Sequence, residues 1–373
     1  MKILVLDTDY PSPSNLYGDV FVHTRVKEYM KYAEVQVVSF FRDQNDYEYE
    51  GVLVKHAPTK KDVFARYEEF RPDIVYIHFY HRDLLEFVQQ IKVPVVIWVH
   101  GYEALGWYRR LFNYKTLDLL KSLRHLVRAN FRQMRCFRKL INFSNKNRRV
   151  HFIFVSDWMK RVCETDAFLA RVKNYSIIPN PINSTLFSYR EKLPEMRKKI
   201  LLIRPFHSRK YANDVAVNAL ILLSDKPFFK ELDIAVYGKG DDFESLTRPL
   251  GSFENVTLSN VFVPNLEIPE VHHKYGIFLC PTRQDAQGVS MCEAMSSGLV
   301  PVTTNCTAIP EFVQNGKNGI LTNSAEELAH ALELLYKDPA LFGRLSQAAS
   351  ASIQQKCDIE KIVEKELQLI NLF

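Results

Sequence analysis

Two patterns of apolar residues recur along the chain and predict its secondary structure. Short continuous apolar runs, typical of strands buried on both faces, lie at residues 3–6, 35–38, 73–77, 95–99, 152–155 and 176–178. A stretch of helical character, residues 19–32, follows the first run after a loop rich in proline, serine and asparagine. Strands that alternate with helices predict a parallel sheet with helices on both faces.

The same alternation begins again in the second half of the chain. The run KKILLIR at residues 198–204 resembles the N-terminal MKILVL, and further strands are predicted at residues 232–237, 256–258, 276–279 and 300–302. Residues 189–197 are polar and carry no strand pattern, so they are predicted to link two domains. The sequence therefore predicts an α/β fold of two Rossmann-like domains, residues 1–188 and 198–350. Ligands are expected at the carboxyl ends of the strands, in a cleft between the domains.

Length and composition exclude several classes of protein. A chain of 373 residues suits two domains, and 47% apolar with 25% charged residues excludes a disordered protein. No apolar run approaches the ~18–20 residues that span a bilayer. The N-terminal run is too short for a signal peptide and is followed at once by Asp7 and Asp9. The six cysteines form no CxxC pair and have no histidine at metal-binding spacing, which predicts free thiols in a cytosolic protein.

The net charge of +6 hides one very basic segment. Residues 109–149 hold 13 basic residues and one acid, whereas the rest of the chain holds 36 basic and 42 acidic residues. Within this segment, residues 115–141, from Lys115 to Ile141, predict an amphipathic helix ~40 Å long. Its basic face carries Lys121, Arg124, Arg128, Arg132, Arg135 and Lys139, and its apolar face Leu120, Leu123, Val127, Phe131, Met134 and Ile141.

Two interpretations of this basic helix remain open. It could be a helix that faces the core with a solvated basic rim, although charges of both signs would serve solubility better. A helix that rests on an anionic lipid surface accounts better for charge of a single sign. Nucleic acid is not an expected partner, because the chain has no known nucleic-acid motif and no repeat of aromatic and basic residues.

The segment PTRQDAQGVSMCEAMSSGLVPVTT, residues 281–304, carries the clearest chemistry. Gly288, Val289 and Ser290 open a predicted helix whose free N–H groups and dipole form an anion site, and the glycine lets a ligand approach closely. Glu293 lies beside this turn, where a carboxylate repels phosphate but accepts hydrogen bonds from the hydroxyls of a ribose. Phosphate at the N–H groups and ribose at the carboxylate together describe a nucleoside diphosphate.

The same segment resembles the signature of the retaining glycosyltransferases of family 4, in which seven residues separate two glutamates. Asp285 stands at the first glutamate position and Glu293 at the second. Other stretches resemble the family in the same order, namely SIIPNPINSTLF at 176–187, LLIRPFHSRKY at 201–211, VYGKG at 236–240, and IPE with NGKNG at 309–319. The resemblance covers nearly all of the second domain, and in the first it rests on DIVYIH, WVHG and FVSDWMKR.

The resemblance implies the GT-B fold and roles for individual residues. A final helix within residues 351–373 would pack back on the first domain. Arg204, with Lys210 or its neighbour Arg209, would neutralise the diphosphate leaving group, whose negative charge grows as the glycosidic bond breaks. Two residues of the first domain, His100 and Gly18, would approach the donor sugar.

Several positions leave more than one interpretation or depart from the family pattern. Gly238 would lie near the nucleotide, or it would only form a turn. Asp285 would lie near the donor sugar, or it would be an acid at a helix N-terminus. The pattern is also changed by Ile203 before Arg204, by Tyr17 at the first of two paired glycines, and by Asn183 in place of an aspartate.

The activity implied is transfer of a sugar, with retention, from a UDP-, GDP- or ADP-sugar to a saccharide acceptor, free or lipid-linked. The acceptor would belong to cell-surface polysaccharide, lipopolysaccharide or capsule biosynthesis, and the protein would be cytoplasmic, or peripheral on the inner face of the plasma membrane. No Asp-x-Asp follows a strand of the second domain, so no metal or other cofactor is expected. No covalent nucleophile is evident, which favours front-face displacement.

Two other functions remain open for a chain with this pattern. A sugar-nucleotide epimerase of the GT-B fold would act on the donor without any acceptor. A degenerate GT-B module would bind saccharide or membrane without catalysis, and the altered glycine positions leave room for it.

Overall fold

The chain folds into two compact units. The computed structural model describes residues 1–13, 15, 18–41, 45–114 and 116–373, without the side chains of residues 116–122. One unit comprises Met1–Pro181 with Ile359–Phe373, and the other comprises Ile182–Asp358. Each unit has its own sheet and apolar core.

The described part of the first unit forms a sheet of eight strands flanked by helices. The strands are β1 Lys2–Asp7, β2 Glu34–Phe40, β3 Tyr47–Tyr49, β4 Val52–Ala57, β5 Ile74–His78, β6 Val95–Val99, β7 Val150–Phe154 and β8 Tyr175–Ile177. The helices are α1 Val20–Tyr29, α2 Lys60–Phe70, α3 Leu85–Gln90, α4 Thr116–Lys146 and α5 Asp157–Asp166. The strand order is β3-β4-β2-β1-β5-β6-β7-β8, and all pairs are parallel except β3 with β4.

The second unit, described throughout, forms a parallel sheet of six strands. The strands are β9 Lys199–Ile203, β10 Asp233–Tyr237, β11 Val256–Ser259, β12 Ile277–Leu279, β13 Val300–Thr304 and β14 Ile320–Thr322, in the order β11-β10-β9-β12-β13-β14. The helices are α6 Asn213–Ser224, α7 Phe243–Thr247, α8 Ile268–Lys274, α9 Val289–Ser296, α10 Ala325–Lys337 and α11 Pro339–Cys357. The predicted α/β architecture with two Rossmann-like sheets is confirmed.

The apolar runs located the central strands and missed three strands at or near the sheet edges. Strands β5, β6 and β7 are buried along their whole length, as continuous apolar runs predict. The strands that sequence missed are β3, β4 and β14. Two of them have only three residues, and in β4 exposed and buried positions alternate, so none presents a continuous apolar run.

The boundary between the units differs from the predicted one. The first unit ends at Pro181 rather than at residue 188, because Ile182 and Phe187 pack into the core of the second unit. The predicted linker, residues 189–197, therefore lies inside the second unit. There the Lys192 ammonium is buried and donates to the carbonyl oxygen of His272, 2.7 Å away.

The C-terminal segment is divided between the units at Asp358. Residues 351–357 are the end of α11 and belong to the second unit, whereas the following helix, α12 Ile359–Gln368, belongs to the first. Its residues Ile359, Ile362 and Val363 pack into the core of the first unit. Helix α12 therefore supplies part of the core of a unit whose preceding segment ends at Pro181, nearly 180 positions earlier in the chain.

A buried polar network also anchors α12. The Glu366 carboxylate, 0% exposed, accepts hydrogen bonds from Arg25 Nε at 3.0 Å, from Trp98 Nε1 at 3.3 Å and from the Tyr29 hydroxyl. Arg25 Nη2 also donates to Asn180 Oδ1 at 3.0 Å. The charge of Glu366 is thus balanced by one buried guanidinium, which ties α12 to α1 and β6.

Helix α4 contains the predicted basic helix and extends beyond it to Lys146. Lys115 and the side chains of residues 116–122, including Lys121 and Leu120, lie outside the described residues. From the predicted apolar face, Met134 and Ile141 are buried as expected, but Phe131 is 47% exposed. Phe131 lies at the surface, where its ring packs against Phe168, 5.4 Å between centroids.

Among the described residues no helix combines the length and hydropathy needed to cross a membrane. All six cysteines are free.

Candidate active site

The N-terminus of α9 forms the centre of the candidate site in the second unit. The helix begins at Val289, directly after Gly288, whose φ of +81° lies in the left-handed region that favours glycine. No side chain of this fully described unit caps the helix. The N–H groups of its first turn can therefore receive an anion, and the helix dipole favours a negative charge there.

Asp285 shapes the loop that leads into this helix. Its Oδ1 accepts hydrogen bonds from the backbone N–H of Gly288 at 2.8 Å and of Gln287 at 3.2 Å. Its own N–H donates to Thr307 Oγ1 at 3.1 Å. These bonds give Asp285 a structural role in presenting the helix N-terminus, and a contact with a donor sugar stays a prediction.

Arg204 lies directly after β9 and reaches the first turn of α9. Its side chain is 3% exposed, and Nη1 donates to Ser290 Oγ at 3.1 Å while Nη2 donates to the Cys280 carbonyl oxygen at 3.3 Å. Nε has no hydrogen-bond partner, and no carboxylate of the described residues forms an ion pair with the guanidinium. A buried cation without a counter-charge is unfavourable, so an anion at this position would be stabilised.

Lys210, rather than Arg209, lies beside Arg204. The Lys210 ammonium and the Arg204 guanidinium lie over the same Tyr211 ring, 5.0 and 5.5 Å from its centroid. Burial lowers the pKa of Lys210, but Tyr211 and the negative charge of Asp285 outweigh it and raise the pKa above its usual value. Lys210 is therefore charged at neutral pH, whereas the Arg209 side chain is exposed.

An ion pair that sequence reasoning missed holds the turn that carries Lys210. Arg283 forms two hydrogen bonds with the Asp214 carboxylate, at 2.8 and 2.6 Å, and Arg283 Nη1 also donates to the Arg209 carbonyl oxygen at 2.8 Å. The Arg283 N–H donates to the Lys210 carbonyl oxygen at 2.8 Å. Arg283 lies inside the motif at residues 281–304, but its partner Asp214 is 69 positions away, so spacing alone could not pair them.

Glu293 lies one helical turn after Ser290, on the same side of α9. Its carboxyl group makes no hydrogen bond and no ion pair within the described chain. Burial raises the pKa of Glu293 to about 8. Glu293 is half-buried, so its unpartnered carboxyl group is open to a ligand. Such a group is suited to hydroxyl donors, which would favour its charged form.

Gly238 supports Arg204 through the backbone. A Cβ atom at Gly238 would lie 2.0 Å from the Arg204 carbonyl oxygen, and the Arg204 N–H donates to the Tyr237 carbonyl oxygen at 3.1 Å. The absence of a side chain thus lets the segments after β9 and β10 pack tightly. This contact favours the interpretation of Gly238 as a packing and turn residue.

In the first unit, His100 is paired with a second histidine. His78 is the last residue of β5 and His100 follows the neighbouring strand β6. The His100 Nε2 and His78 Nδ1 atoms are 2.9 Å apart. Burial lowers the pKa of both rings well below the usual value; the charge of Arg25 adds to this, and His78 is lowered further by His100. Both rings are therefore neutral at physiological pH, and one must donate to the other.

The loop after His100 and the loop at Gly18 are both tightly packed. The Glu103 carboxylate accepts from the N–H groups of His100 at 2.6 Å and Gly101 at 3.1 Å, and burial raises the pKa of Glu103 to about 7. A Cβ atom at Gly18 would lie 2.6 Å from the Asp9 carbonyl oxygen. Its neighbour Tyr17 is outside the described residues. Sequence reasoning missed Glu103, although it stands three positions after His100.

The predicted residues thus form two groups, one in each unit. Those of the second unit surround the N-terminus of α9, and they are Arg204, Lys210, Asp285, Gly288, Val289, Ser290 and Glu293. The first unit holds His100 and Gly18. Within the described residues, no three side chains of His, Cys, Asp or Glu are placed to hold a metal ion.

Comparison with known proteins gives a family match and a fold. Residues 197–338 match the family model described as Glycosyl transferases group 1. The alpha-monoglucosyldiacylglycerol synthase of Acholeplasma laidlawii is 29% identical over 119 residues, which are 31% of this chain and 30% of the relative. The matching segments span only 13–37% of the length of the curated relatives.

Several solved structures resemble the whole chain, among them HepE and WaaG. HepE of Anabaena, solved in complex with UDP and glucose, superposes with a TM-score of 0.69, 18% identity and 100% coverage of both chains. WaaG, described as a glycosyltransferase involved in lipopolysaccharide biosynthesis, superposes with a TM-score of 0.69, 17% identity and 99% coverage of both chains. The predicted GT-B fold is confirmed.

Proposed function

We propose, from the membership of residues 197–338 in the glycosyl transferases group 1 family, that this protein is a glycosyltransferase with a nucleoside-diphosphate sugar as donor. The observation that carries the proposal is the buried Arg204 guanidinium, which has no counter-charge and touches Ser290 at the open N-terminus of α9. An anion of two phosphates there would meet two cations and the helix dipole.

The diphosphate and the ribose of such a donor each have proposed partners in the second unit. The diphosphate would bind the N–H groups of Val289 and Ser290, with Arg204 and Lys210 beside them. The ribose hydroxyls would donate to Glu293, which lies one turn farther along α9. As the glycosidic bond breaks, the two fixed cations would stabilise the charge on the leaving group, in place of a metal ion.

We further propose transfer with retention at the anomeric carbon by front-face displacement. The described second unit offers no carboxylate free of other bonds near Arg204 except Glu293, which is assigned to the ribose. Asp285, the other carboxylate of the motif, is engaged by two backbone N–H groups. An attack from the side of the leaving group needs no protein nucleophile, and His100 would contact the donor sugar from the first unit.

For the acceptor we propose a saccharide of cell-surface polysaccharide, lipopolysaccharide or capsule biosynthesis, free or lipid-linked. Support comes from the similarity to WaaG and to a synthase named for a glucosylated diacylglycerol. HepE was solved with UDP and glucose, so UDP-glucose is the first donor to test. Donor consumption that needs no acceptor would instead indicate an epimerase.

We also propose that the protein works on the cytoplasmic side of a membrane, with the exposed face of α4 on anionic lipid. The arginines Arg124, Arg128, Arg132 and Arg135 are exposed on this face.

Changing Arg128 and Arg132 to glutamate is expected to lower binding to phosphatidylglycerol vesicles at least tenfold, measured by flotation. Wild-type binding should also weaken in 0.5 M NaCl, because salt screens exposed charges, and salt-independent binding would contradict a charge-driven contact.

Glu293→Ala is expected to weaken the binding of UDP, or of whichever of UDP, GDP and ADP binds best, at least tenfold. The carboxylate would lose charge-assisted hydrogen bonds with two ribose hydroxyls, each of about 1.5–3 kcal/mol. Isothermal titration calorimetry measures the effect. The matched control is Glu254→Ala in an exposed loop of the same unit, which should bind like the wild type. Equal affinity in Glu293→Ala would refute the role of Glu293.

The pH dependence of binding follows from the pKa of about 8 at Glu293. Hydroxyl donors bind the charged carboxylate, so below pH 8 binding must first remove a proton. Affinity for UDP should therefore rise by up to tenfold per pH unit from pH 6.5 to 8 and level off above. Glu293→Gln has no proton to lose, and its affinity should lack this rise when both proteins are titrated in the same buffers.

A further inference from the structure

We propose that three apolar side chains of the first unit insert into an anionic lipid bilayer beside the basic face of α4. The three residues are Phe131, Phe168 and Leu169, called here the apolar tip. The inference rests on the membrane contact proposed above and adds an insertion site to it. The proposed membrane-facing surface then extends beyond α4 to two further segments. These are the loop after α5 and the 3-10 segment Trp107–Asn113.

The apolar tip is exposed on the surface of the first unit. Phe131 is 47% exposed, Phe168 36% and Leu169 78%. The rings of Phe131 and Phe168 pack edge to face, 5.4 Å apart. Single exposed apolar residues are common, but a contiguous group brought together from α4 and a separate loop marks a surface that is covered by a partner or a membrane.

The backbone holds two of these residues in an unfavourable conformation. Phe168 and Leu169 are consecutive, and their φ angles of +59° and +60° lie in the left-handed region. Non-glycine residues rarely adopt it, and when they do they cluster at functional sites. The flanking Ala167 and Ala170 are buried, and the Ala167 N–H donates to the Cys163 carbonyl oxygen at 2.9 Å. The loop is thus fixed at its base, and its apolar side chains are presented outward.

Positive charges surround the apolar tip. Arg124, Arg128, Arg132, Arg135, Arg138 and Lys139 are exposed on α4, and none forms an ion pair with a described carboxylate. The Arg135 guanidinium lies over the Phe131 ring, 5.7 Å from its centroid. Of the acids on α5, Asp166 is paired with Arg109 at 2.7 Å and Glu164 with Lys160 at 2.9 Å.

Aromatic residues extend the same surface. The hydroxyl of Tyr108, itself 47% exposed, donates to Asp166 Oδ1 at 2.5 Å, next to the loop of the apolar tip. The Trp107 N–H donates to Asn130 Oδ1 at 3.0 Å, beside Phe131 on α4. Tryptophan and tyrosine are enriched at the level of lipid headgroups. Contacts between neighbouring segments thus link apolar, aromatic and basic residues of α4, the loop after α5 and the segment Trp107–Asn113.

This combination favours an anionic bilayer over a protein partner. A protein surface complementary to it would need acids aligned with many separate arginines and a pocket for the tip. A bilayer offers both features everywhere, since its headgroups are negative and its acyl chains begin ~5–10 Å below the surface. The apolar side chains would reach that depth while the arginines stay among the headgroups.

Fluorescence quenching tests the insertion directly. Leu169→Trp is mixed with vesicles of phosphatidylcholine and phosphatidylglycerol that carry brominated acyl chains, under conditions where flotation shows that the protein is bound. The added tryptophan should be quenched at least twofold more than the native tryptophans of the wild type. The matched control is Leu266→Trp in the second unit, at a leucine 69% exposed, and it should show no extra quenching. A bound Leu169→Trp without extra quenching would overturn the proposal.

A loss-of-binding variant gives the second readout. Asparagine tolerates the left-handed backbone, so replacing both Phe168 and Leu169 by asparagine keeps the loop and removes the apolar side chains. Its affinity for the same vesicles should fall at least tenfold, whereas its affinity for UDP in solution should not change. Unchanged vesicle binding, or a wild type that binds no vesicles, would overturn the insertion. If the wild type does not bind UDP in solution, that result would count against the proposed donor site and not against the insertion.

Discussion

Arg204→Met should lower kcat by about 10²–10³-fold and leave the protein folded. Removing one fixed group that stabilises charge in a transition state costs about 2.7–4 kcal/mol. Arg204 is the more buried of the two proposed cations and the one that contacts the first turn of α9. Initial rates with the donor found by nucleotide screening measure the effect, with acceptor at saturation.

The stability of Arg204→Met separates a catalytic role from a structural one. In the absence of ligand the guanidinium is buried without a counter-charge, so the free energy of unfolding should stay the same or rise when methionine replaces it. Methionine keeps apolar contact with Tyr211 and Phe278, over whose rings the guanidinium lies. A large loss of stability would mean that Arg204 mainly holds the fold.

Arg209→Met is the matched control for this experiment. Arg209 lies in the same turn as Lys210, and its side chain is exposed. Because it does not lie beside Arg204, its replacement should change kcat by less than threefold. Equal losses in both variants would show that general positive charge, rather than the placement of Arg204, supports the reaction.

Glu366→Ala is expected to lower the free energy of unfolding of the first unit by about 3–5 kcal/mol. The substitution leaves the Arg25 guanidinium, 0% exposed, without its counter-charge, and removing one partner of a buried ion pair has an effect of this size. It also leaves the Tyr29 hydroxyl and Trp98 Nε1 without an acceptor. Urea denaturation followed by circular dichroism measures the change. The first unit of the variant should unfold at a lower urea concentration than that of the wild type.

The double variant Arg25→Met with Glu366→Leu is the control. Apolar side chains of similar volume often replace a buried ion pair without loss of stability. We therefore expect the double variant to recover most of the stability lost in Glu366→Ala. If it is as unstable as the single variant, the packing of α12, rather than the charge pair, is what Glu366→Ala disturbs.

The central strands and helix α9 with its preceding glycine could be predicted from sequence because their signals are local. A strand buried on both faces needs a continuous apolar run, so β1, β5, β6 and β7 are visible without any knowledge of their partners. Gly288 and Glu293 are separated by little more than one helical turn, so their spacing places them together as soon as a helix is assumed.

Some residues of the candidate site could not be chosen from sequence alone. Lys210 and Arg209 are adjacent basic residues, and either one satisfies the pattern. Only the turn held by Arg283 and Asp214 decides that Lys210 lies beside Arg204. In the same way, His78 and His100 are 22 positions apart and become partners because β5 and β6 are neighbours in the sheet.

Surface and boundary features also depended on tertiary contacts. Periodicity assigns Phe131 to the apolar face of α4, but whether that position meets the core depends on what packs against it. Here the ring contacts Phe168 and Arg135 and is 47% exposed. The boundaries between the units at Ile182 and Asp358 have no signal in the composition of the sequence. Ile182 and Phe187 are ordinary apolar residues, and only the tertiary structure shows that they pack in the core of the second unit.

Local sequence thus decided the α/β architecture, the helix α9 with its open N-terminus after Gly288, and the concentration of basic charge in one helix. Each of these depends on residues close together along the chain. Tertiary structure decided which cation joins Arg204, which carboxylate stays free for a ligand, and which apolar residues remain exposed. These depend on burial and on partners distant in sequence, and burial sets both the pKa of Glu293 and the stabilisation that an anion brings to Arg204.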